Sequence, residues 1–313
     1  MKSFQKVAMV FFLLSMIAVR AVSQTNSSQA DAQTVSKLNK FRTDYCKSIL
    51  DGKIDRLQNY FVDTIRLMPP FQKTVLGKVN ASSYFRAFTN RFNVHSYIRH
   101  EIEMLDLGQQ ILETGLINMR MTVRSTGKEF DIVAKYLNLW VKTQTGEMRL
   151  LTEAWNADRY DGELHDLVRF DEVPGIHAAF LPNVTVTNNI SFELAALNRL
   201  LDETVTNHDA NTWSRYYSDD AMLLASYASI CRGRSAIDEY INAHVLEMPV
   251  FEELDIRNDR IDNLGIFVVE YASHIASWRN GKRSGVGLGK NIRIWRREPD
   301  HTLKLFRSIS MYD

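Results

Sequence analysis

The chain switches between two hydrophobic periods, and it does so twice. Leu38, Phe41, Tyr45 and Ile49 recur every three or four positions, a helical stripe closed by Asp51-Gly52. Ile54, Leu57 and Phe61 give a second, short helix. "TIRLM" is a brief strand stopped by Pro69-Pro70, and Tyr84, Phe85, Phe88 and Phe92 predict a third helix over about 81–92. Alternation at period two then predicts four long strands, at about 97–105, 110–124, 130–142 and 148–157, with "DLG", "STG" and "QTG" as turns. The second half repeats the order. A helix carries Leu197, Leu200, Leu201 and Val205, another lies near 237–245, and strands run to Tyr312. Residues 159–189 follow neither period, hold Pro174 and Pro182, and read as a linker, long by the measure of ordinary loops.

The two halves can be laid on each other. Tyr60 recurs as Tyr216, an offset of 156, and Leu67 and Gly77 recur at the same offset as Leu223 and Gly233. Leu107-Gly108 recurs as Leu264-Gly265, Lys135 as Lys290 and Trp140 as Trp295, with offsets of 157, 155 and 155. Offsets that drift between elements mark a diverged tandem duplication of a whole domain, not a solenoid of short repeats. Helices first and antiparallel strands after predict an α+β fold, with each curved sheet wrapped around its N-terminal helices as a cone. The expected domains are copy one over 31–158 and copy two over 190–313.

The N-terminus changes the picture of where the protein works. Lys2 and Lys6 precede the apolar run "VAMVFFLLSMIAV", and small residues stand at Ala21 and Ser23. That is the layout of a signal peptide over 1–23, and the run is shorter than the roughly 20 apolar residues of a membrane span. A secreted or periplasmic protein without a stable membrane anchor is expected. Cys46 and Cys231 make no disulfide framework and no metal-type cluster, and their pairing is left open. Asn26, Asn80, Asn183 and Asn189 head glycosylation sequons. The net charge of +1 gives no bulk attraction to nucleic acid. No phosphate loop, nucleophile elbow or paired metal histidines are present, and no cofactor or metal is expected. His95 and His100 flank a strand start and read as ordinary polar residues.

Several segments carry a family resemblance: "KFRTDYCKSILDGKID", "YFVDTIRLMPP", "KYLNLW" and "EMRLLTEAWN" in copy one, and "NHDANTWSRYYSDDAMLL", "RGRSAIDEYI" and "KNIRIWRR" in copy two. Through these, each half resembles the nuclear transport factor 2-like superfamily, in its SnoaL-like and ketosteroid isomerase-like branch. The resemblance implies a cone-shaped cavity and, for isomerase members, a carboxylate base with a Tyr and a protonated Asp as oxyanion donors. Carried over, the Tyr falls on Tyr45, the Asp donor on Asn138 and the base on Pro69, which has no proton acceptor. Copy two has Leu201, Arg293 and Ala225 in those places. Isomerase chemistry of that type is not expected.

The resemblance places Leu151, Glu153 and Trp155 of the last strand on the cavity face, with Tyr136, Asn138 and Trp140 beside them and Met68 at the end of the first strand. Glu153, near Tyr45 and Asn138 and against apolar walls, is the candidate acid or base; alternatively it only satisfies a polar interior. Arg279, Lys282, Arg283, Lys290, Arg293, Arg296 and Arg297 crowd one hairpin of copy two, as a solvated face, an anion site or a charged seam. Three function classes follow. They are a binder of a small lipophilic molecule in copy one, a ketosteroid isomerase-like or polyketide cyclase-like enzyme using Glu153, and a non-catalytic interaction module. Leu137, Leu139 and Val141 alternate away from the cavity, as do Ile292 and Ile294, so the copies are expected to pack sheet to sheet as an intramolecular pseudo-dimer. The mature chain is expected to begin near Gln24. Mass spectrometry that finds an intact Met1 end in membrane fractions would refute this.

Overall fold

Asp31 starts the first helix: its carboxylate accepts from the Thr34 amide at 2.8 Å, and α1 runs Ala32–Leu50 with Leu38, Phe41, Tyr45 and Ile49 buried. Gly52 ends it in the left-handed region, at φ 66°. The computed structural model describes residues 28–313, so the expected signal peptide lies outside the described residues. A 3-10 turn spans Ile54–Tyr60, where the short helix was expected. Strands β1 (Ser28–Gln29), β2 (Phe61–Met68) and β3 (Val75–Leu76) precede helix α2 (Lys78–Arg91). The long strands are β4 (Phe92–Asp106), β5 (Gln110–Val123), β6 (Glu129–Lys142) and β7 (Met148–Ala157). Chain order and sheet order differ: the seven strands lie β1-β4-β5-β6-β7-β2-β3, with β2 parallel to β7. The sheet curls over α1 and α2, whose Phe41, Tyr45, Tyr84 and Phe85 form one core with Phe92, Tyr136 and Trp140.

Copy two repeats this order. Helix α4 (Asn189–Thr206) opens on a capping box between Asn188 and Ser191. It is followed by α5 (Ala210–Ser214), β8 (Tyr217–Leu224), β9 (Cys231–Arg232), α6 (Gly233–Glu247), β10 (Val250–Asn263), β11 (Phe267–Asn280), β12 (Arg283–Arg297) and β13 (Leu303–Tyr312). The six strands lie β10-β11-β12-β13-β8-β9. Both copies are α+β cones.

Three expectations need correction. Strand β4 begins at Phe92, straight out of α2, so His95 and His100 lie inside it and not at its start. The linker is not featureless: Asp161 caps a short helix α3 (Gly162–Leu167), Thr74 bridges Ile176, and Leu164, Val168, Phe170 and Val173 are buried in the copy-one core. A single helical turn is too short to show a period. The basic hairpin is no continuous patch, because many of its cations have their own acids. Arg296 meets Asp220, Arg297 meets Glu193, Arg279 meets Glu252 and Lys290 meets Asp313.

The outer faces of the sheets touch. Leu137 and Leu139 of β6 share one buried cluster with Ile292 and Ile294 of β12, the residues that stand in the same places of the other copy. Val141 stays half-buried outside it. Charged residues ring the cluster: Arg66 meets Asp259 at 2.5 Å, and Arg307 forks onto Glu103 at 2.6 and 2.9 Å. Two hydrogen bonds across the seam mirror each other. Phe71 N donates to Tyr312 O at 2.8 Å, and Tyr227 N donates to Ala157 O at 2.9 Å. Phe71 and Tyr227 occupy equivalent positions of the repeat, as do Ala157 and Tyr312, which is the i-to-j, j-to-i reciprocity of a two-fold contact. Leu139→Asp or Ile294→Asp puts a charge without a partner into this cluster and is expected to cost about 4 kcal/mol or more. Urea unfolding of the variants checks this; a loss within about 0.5 kcal/mol, the size of an ordinary surface change, would refute it.

Candidate binding site

Two buried carboxylates organise the interior of copy one. Glu153, on β7, takes the Arg99 guanidinium of β4 at 2.5 Å and the Tyr45 hydroxyl of α1 at 2.9 Å, both on Oε1. Arg99 lies over the Tyr45 ring at 3.9 Å and against that of Tyr136 at 4.8 Å, so the ion pair is wrapped in aromatic faces. Burial pushes the Tyr45 hydroxyl well above the ordinary phenol value, and the Glu153 charge adds to this while Arg99 opposes it; burial likewise takes Tyr97 up to about 12 and raises Tyr84 further. The three phenols therefore stay neutral and can donate.

Glu113, on β5, is the second. It accepts from Arg42 at 2.6 Å, from the Tyr136 hydroxyl at 2.9 Å, from the Trp140 indole at 2.8 Å and from Asn138 at 3.4 Å. Copy two has the same arrangement at Glu270 of β11. The Trp295 indole donates to it at 2.6 Å, Asn198 at 2.7 Å, and the Arg293 guanidinium stands at 3.7 Å. The sequence offsets pair Arg42 with Asn198 and Asn138 with Arg293. The copies have thus exchanged partners: arginine on the helix and asparagine on the strand in copy one, the reverse in copy two. The charge beside each glutamate is unchanged.

The expected site residues divide accordingly. Tyr45, Glu153 and Trp155 line one small cavity, with Tyr84, Phe85, Phe88, Tyr97 and Met119 as its other main walls. Its volume is about 20 Å³, room for about one water molecule. Tyr136, Asn138 and Trp140 do not reach it; they are consumed by Glu113. Leu151 does not face the interior, because a bulge between Leu139 and Trp140 shifts the register and sets Leu150 opposite Trp140 in the core. Met68 belongs to the cluster between the sheets, since β2 turns that face outward. Around the cavity, Tyr84 Oη and Glu153 Oε2 are buried without a hydrogen-bond partner, as is Arg99 Nη1 beside them. Sequence reasoning missed Arg99, Tyr84 and Glu113. A glutamate five residues after Leu-Gly in both halves was a legible signal for Glu113 and Glu270; nothing marked Arg99, which stands in a strand of mixed polarity between two bulges.

Copy two has no such cavity chemistry. Ser308 stands opposite Arg293, where Glu153 stands opposite Asn138, and Leu201 replaces Tyr45. No protein-family sequence model matches this chain, and no curated protein matches it. Solved structures do. A conserved protein from Planctomyces limnophilus matches 41% of this chain and 99% of its own, at 12% identity and TM-score 0.38. A ketosteroid isomerase-like protein from Erwinia carotovora atroseptica matches 38% and 92%, at 14% identity and TM-score 0.34. A candidate dehydratase of the NTF2-like family from Streptomyces avermitilis matches 41% and 98%, at 11% identity and TM-score 0.35. These are likenesses of fold.

Arg42→Asn leaves Glu113 buried with no cation and is expected to cost about 3–5 kcal/mol. Adding Asn138→Arg reproduces the arrangement around Glu270 and is expected to restore at least half of the loss. A double-mutant cycle in urea reads the coupling, and strict additivity of the two changes would refute the exchange.

Proposed function

We propose that the chain is an extracytoplasmic tandem SnoaL-like protein that binds a small lipophilic molecule in copy one. In this reading residues 1–23 are a cleaved signal peptide, 31–158 and 190–313 are the two domains, and 159–189 joins them. The mirrored Phe71 and Tyr227 hydrogen bonds and the shared apolar cluster support an intramolecular pseudo-dimer. Copy two then serves as the scaffold against which the copy-one sheet is held.

One observation carries the binding reading: an aromatic-walled cavity beside buried donor and acceptor atoms that the surrounding side chains do not fully satisfy. Buried polar atoms of native proteins nearly always have partners. Tyr84 Oη can donate or accept, Glu153 Oε2 accepts and Arg99 Nη1 donates. A single hydroxyl answers that set, giving its proton to Glu153 and taking one from Tyr84 or Arg99. The ligand class is a lipophilic alcohol, its apolar body replacing contacts among Phe85, Phe88 and Met119. At about 20 Å³ the cavity admits such a body only when Phe85 and Phe88 of α2 give way. Glu153 has one oxygen held by Arg99 and Tyr45, which suits an anchor better than a proton shuttle, so binding leads over the enzyme alternative.

Tyr84→Phe keeps the ring and removes one hydrogen bond, and is expected to weaken binding of a sterol or long-chain alcohol about tenfold while leaving the fold intact. Glu153→Gln is the harsher change, because it strands Arg99 as a buried charge. Calorimetric titration of the parent and of Tyr84→Phe decides. No binding by any alcohol of the panel, or equal binding by both proteins, would sink the reading.

A further inference from the structure

One sizeable cavity lies in neither cone. It opens where the two copies and the linker meet, with a volume of about 610 Å³, inside the roughly 300–1,000 Å³ of small-molecule sites. Four parts of the chain build it: residues 71–73 after β2, linker residues from Tyr160 to His177, Tyr227 after β8, and the ends of β12 and β13. Its walls are near-parallel aromatic rings. Phe71 stacks on His165 at 3.5 Å between centroids and 20°, His165 on Tyr227 at 5.6 Å and 28°, and Tyr227 on Tyr312 at 6.0 Å and 11°. Tyr160 stands edge-on to His165 and Tyr227.

The backbone is strained at this place. Phe71 and Tyr227 adopt φ 57° and 62°, a region that bulky residues rarely occupy. Each is held there by its hydrogen bond to the other copy. Strain of this kind collects at ligand clamps, and here it aims two rings at one cleft. His165 and His177 come from the linker, so the cleft combines residues of both copies with residues of the segment that joins them.

The charges of the cleft select the ligand. At its floor Lys290 meets Asp313 at 2.6 Å, and His177 reaches the same carboxylate at 3.2 Å. At its rim Arg169 meets Asp171 at 3.1 Å. Lys73 lines the cleft and makes no ion pair among the described residues. Stacked rings suit a flat apolar body, and the ammonium of Lys73 at the same cleft suits one anionic group. We propose that this junction cleft is a second binding site, independent of the copy-one cavity, for a planar aromatic monocarboxylate whose ring stacks on Tyr227 and Tyr312 and whose carboxylate pairs with Lys73.

The test uses the full chain with 4-hydroxybenzoate, its amide and hexanoate as probes. The ring resonances of His165, assigned by their loss in His165→Gln, report occupancy. The acid is expected to shift them saturably, with the amide and hexanoate each at least about tenfold weaker. Lys73→Gln should bring the acid down to the affinity of the amide. Tyr312→Ala should weaken acid and amide by a similar factor. Tyr84→Phe should leave the titration as in the parent, which separates this site from the copy-one cavity. The proposal is overturned if the acid produces no saturable shift of His165, or if its preference over the amide survives in Lys73→Gln.

Discussion

A carboxylate buried in the middle of a curved sheet has to be neutralised where it stands, and both halves of this chain obey that constraint. Glu113 and Glu270 are each inaccessible to solvent. Taking such a group out of water costs several kcal/mol, which only close cations and hydrogen bonds offset. Each glutamate therefore fixes three things at once: an indole on the next strand, a polar residue on the first helix, and one on the strand directly opposite. That ties helix to sheet at a defined height in the cone. The exchange of arginine and asparagine between helix and strand is what such a constraint allows. The cation can come from either side, but not from neither. The same logic holds just past the ends of β7 and β13, where Lys135 pairs with Asp158 and Lys290 with Asp313 in equivalent places. Burial lowers both lysines from the ordinary value, and each aspartate pulls the other way.

With the interiors fixed in this way, the outer faces are free to meet. Apolar residues at Leu139 and Ile294 make the centre of the contact, and Arg66–Asp259 and Arg307–Glu103 make a charged rim of unequal pairs. The reciprocal hydrogen bonds of Phe71 and Tyr227 show how nearly the contact keeps a two-fold. The rim shows where it departs from one, since neither ion pair repeats in the other copy. A chain that carries both partners needs no self-complementary surface, so each side of the rim has diverged freely.

Much of the fold was legible in the sequence because it rests on periodicity, which burial enforces along a whole element. Strands β5, β6 and β7 fall where alternation put them, while β4 starts earlier, and Leu137 and Leu139 face outward as expected. The site was less legible, because single bulges decide it. One extra residue in β7 moved Leu151 off the inner face and left Glu153 and Trp155 on it, and no pattern of types records such a slip. Asn138 lies on the inner face, yet its partner there is Glu113, opposite it on β5, and not Glu153, opposite it on β7. A face can be read from alternation. The pairing of polar groups within that face depends on register across three strands, which alternation does not specify.

The copies have also diverged unequally, and the direction is physical. Both kept the glutamate of β5 or β11, whose loss would strand an arginine. Only copy one has a second buried glutamate inside its cone, and with it come Arg99, Tyr45 and a cavity with unsatisfied atoms. Where copy one has Glu153, copy two has Ser308, a small hydroxyl whose burial needs no counter-ion. A second ion pair in the same cone is a standing cost to stability, since an apolar replacement of similar volume is often neutral or better. It persists in one copy and is absent from the other while the scaffold is common to both. The scaffold common to both copies therefore does not account for Glu153 and its arginine.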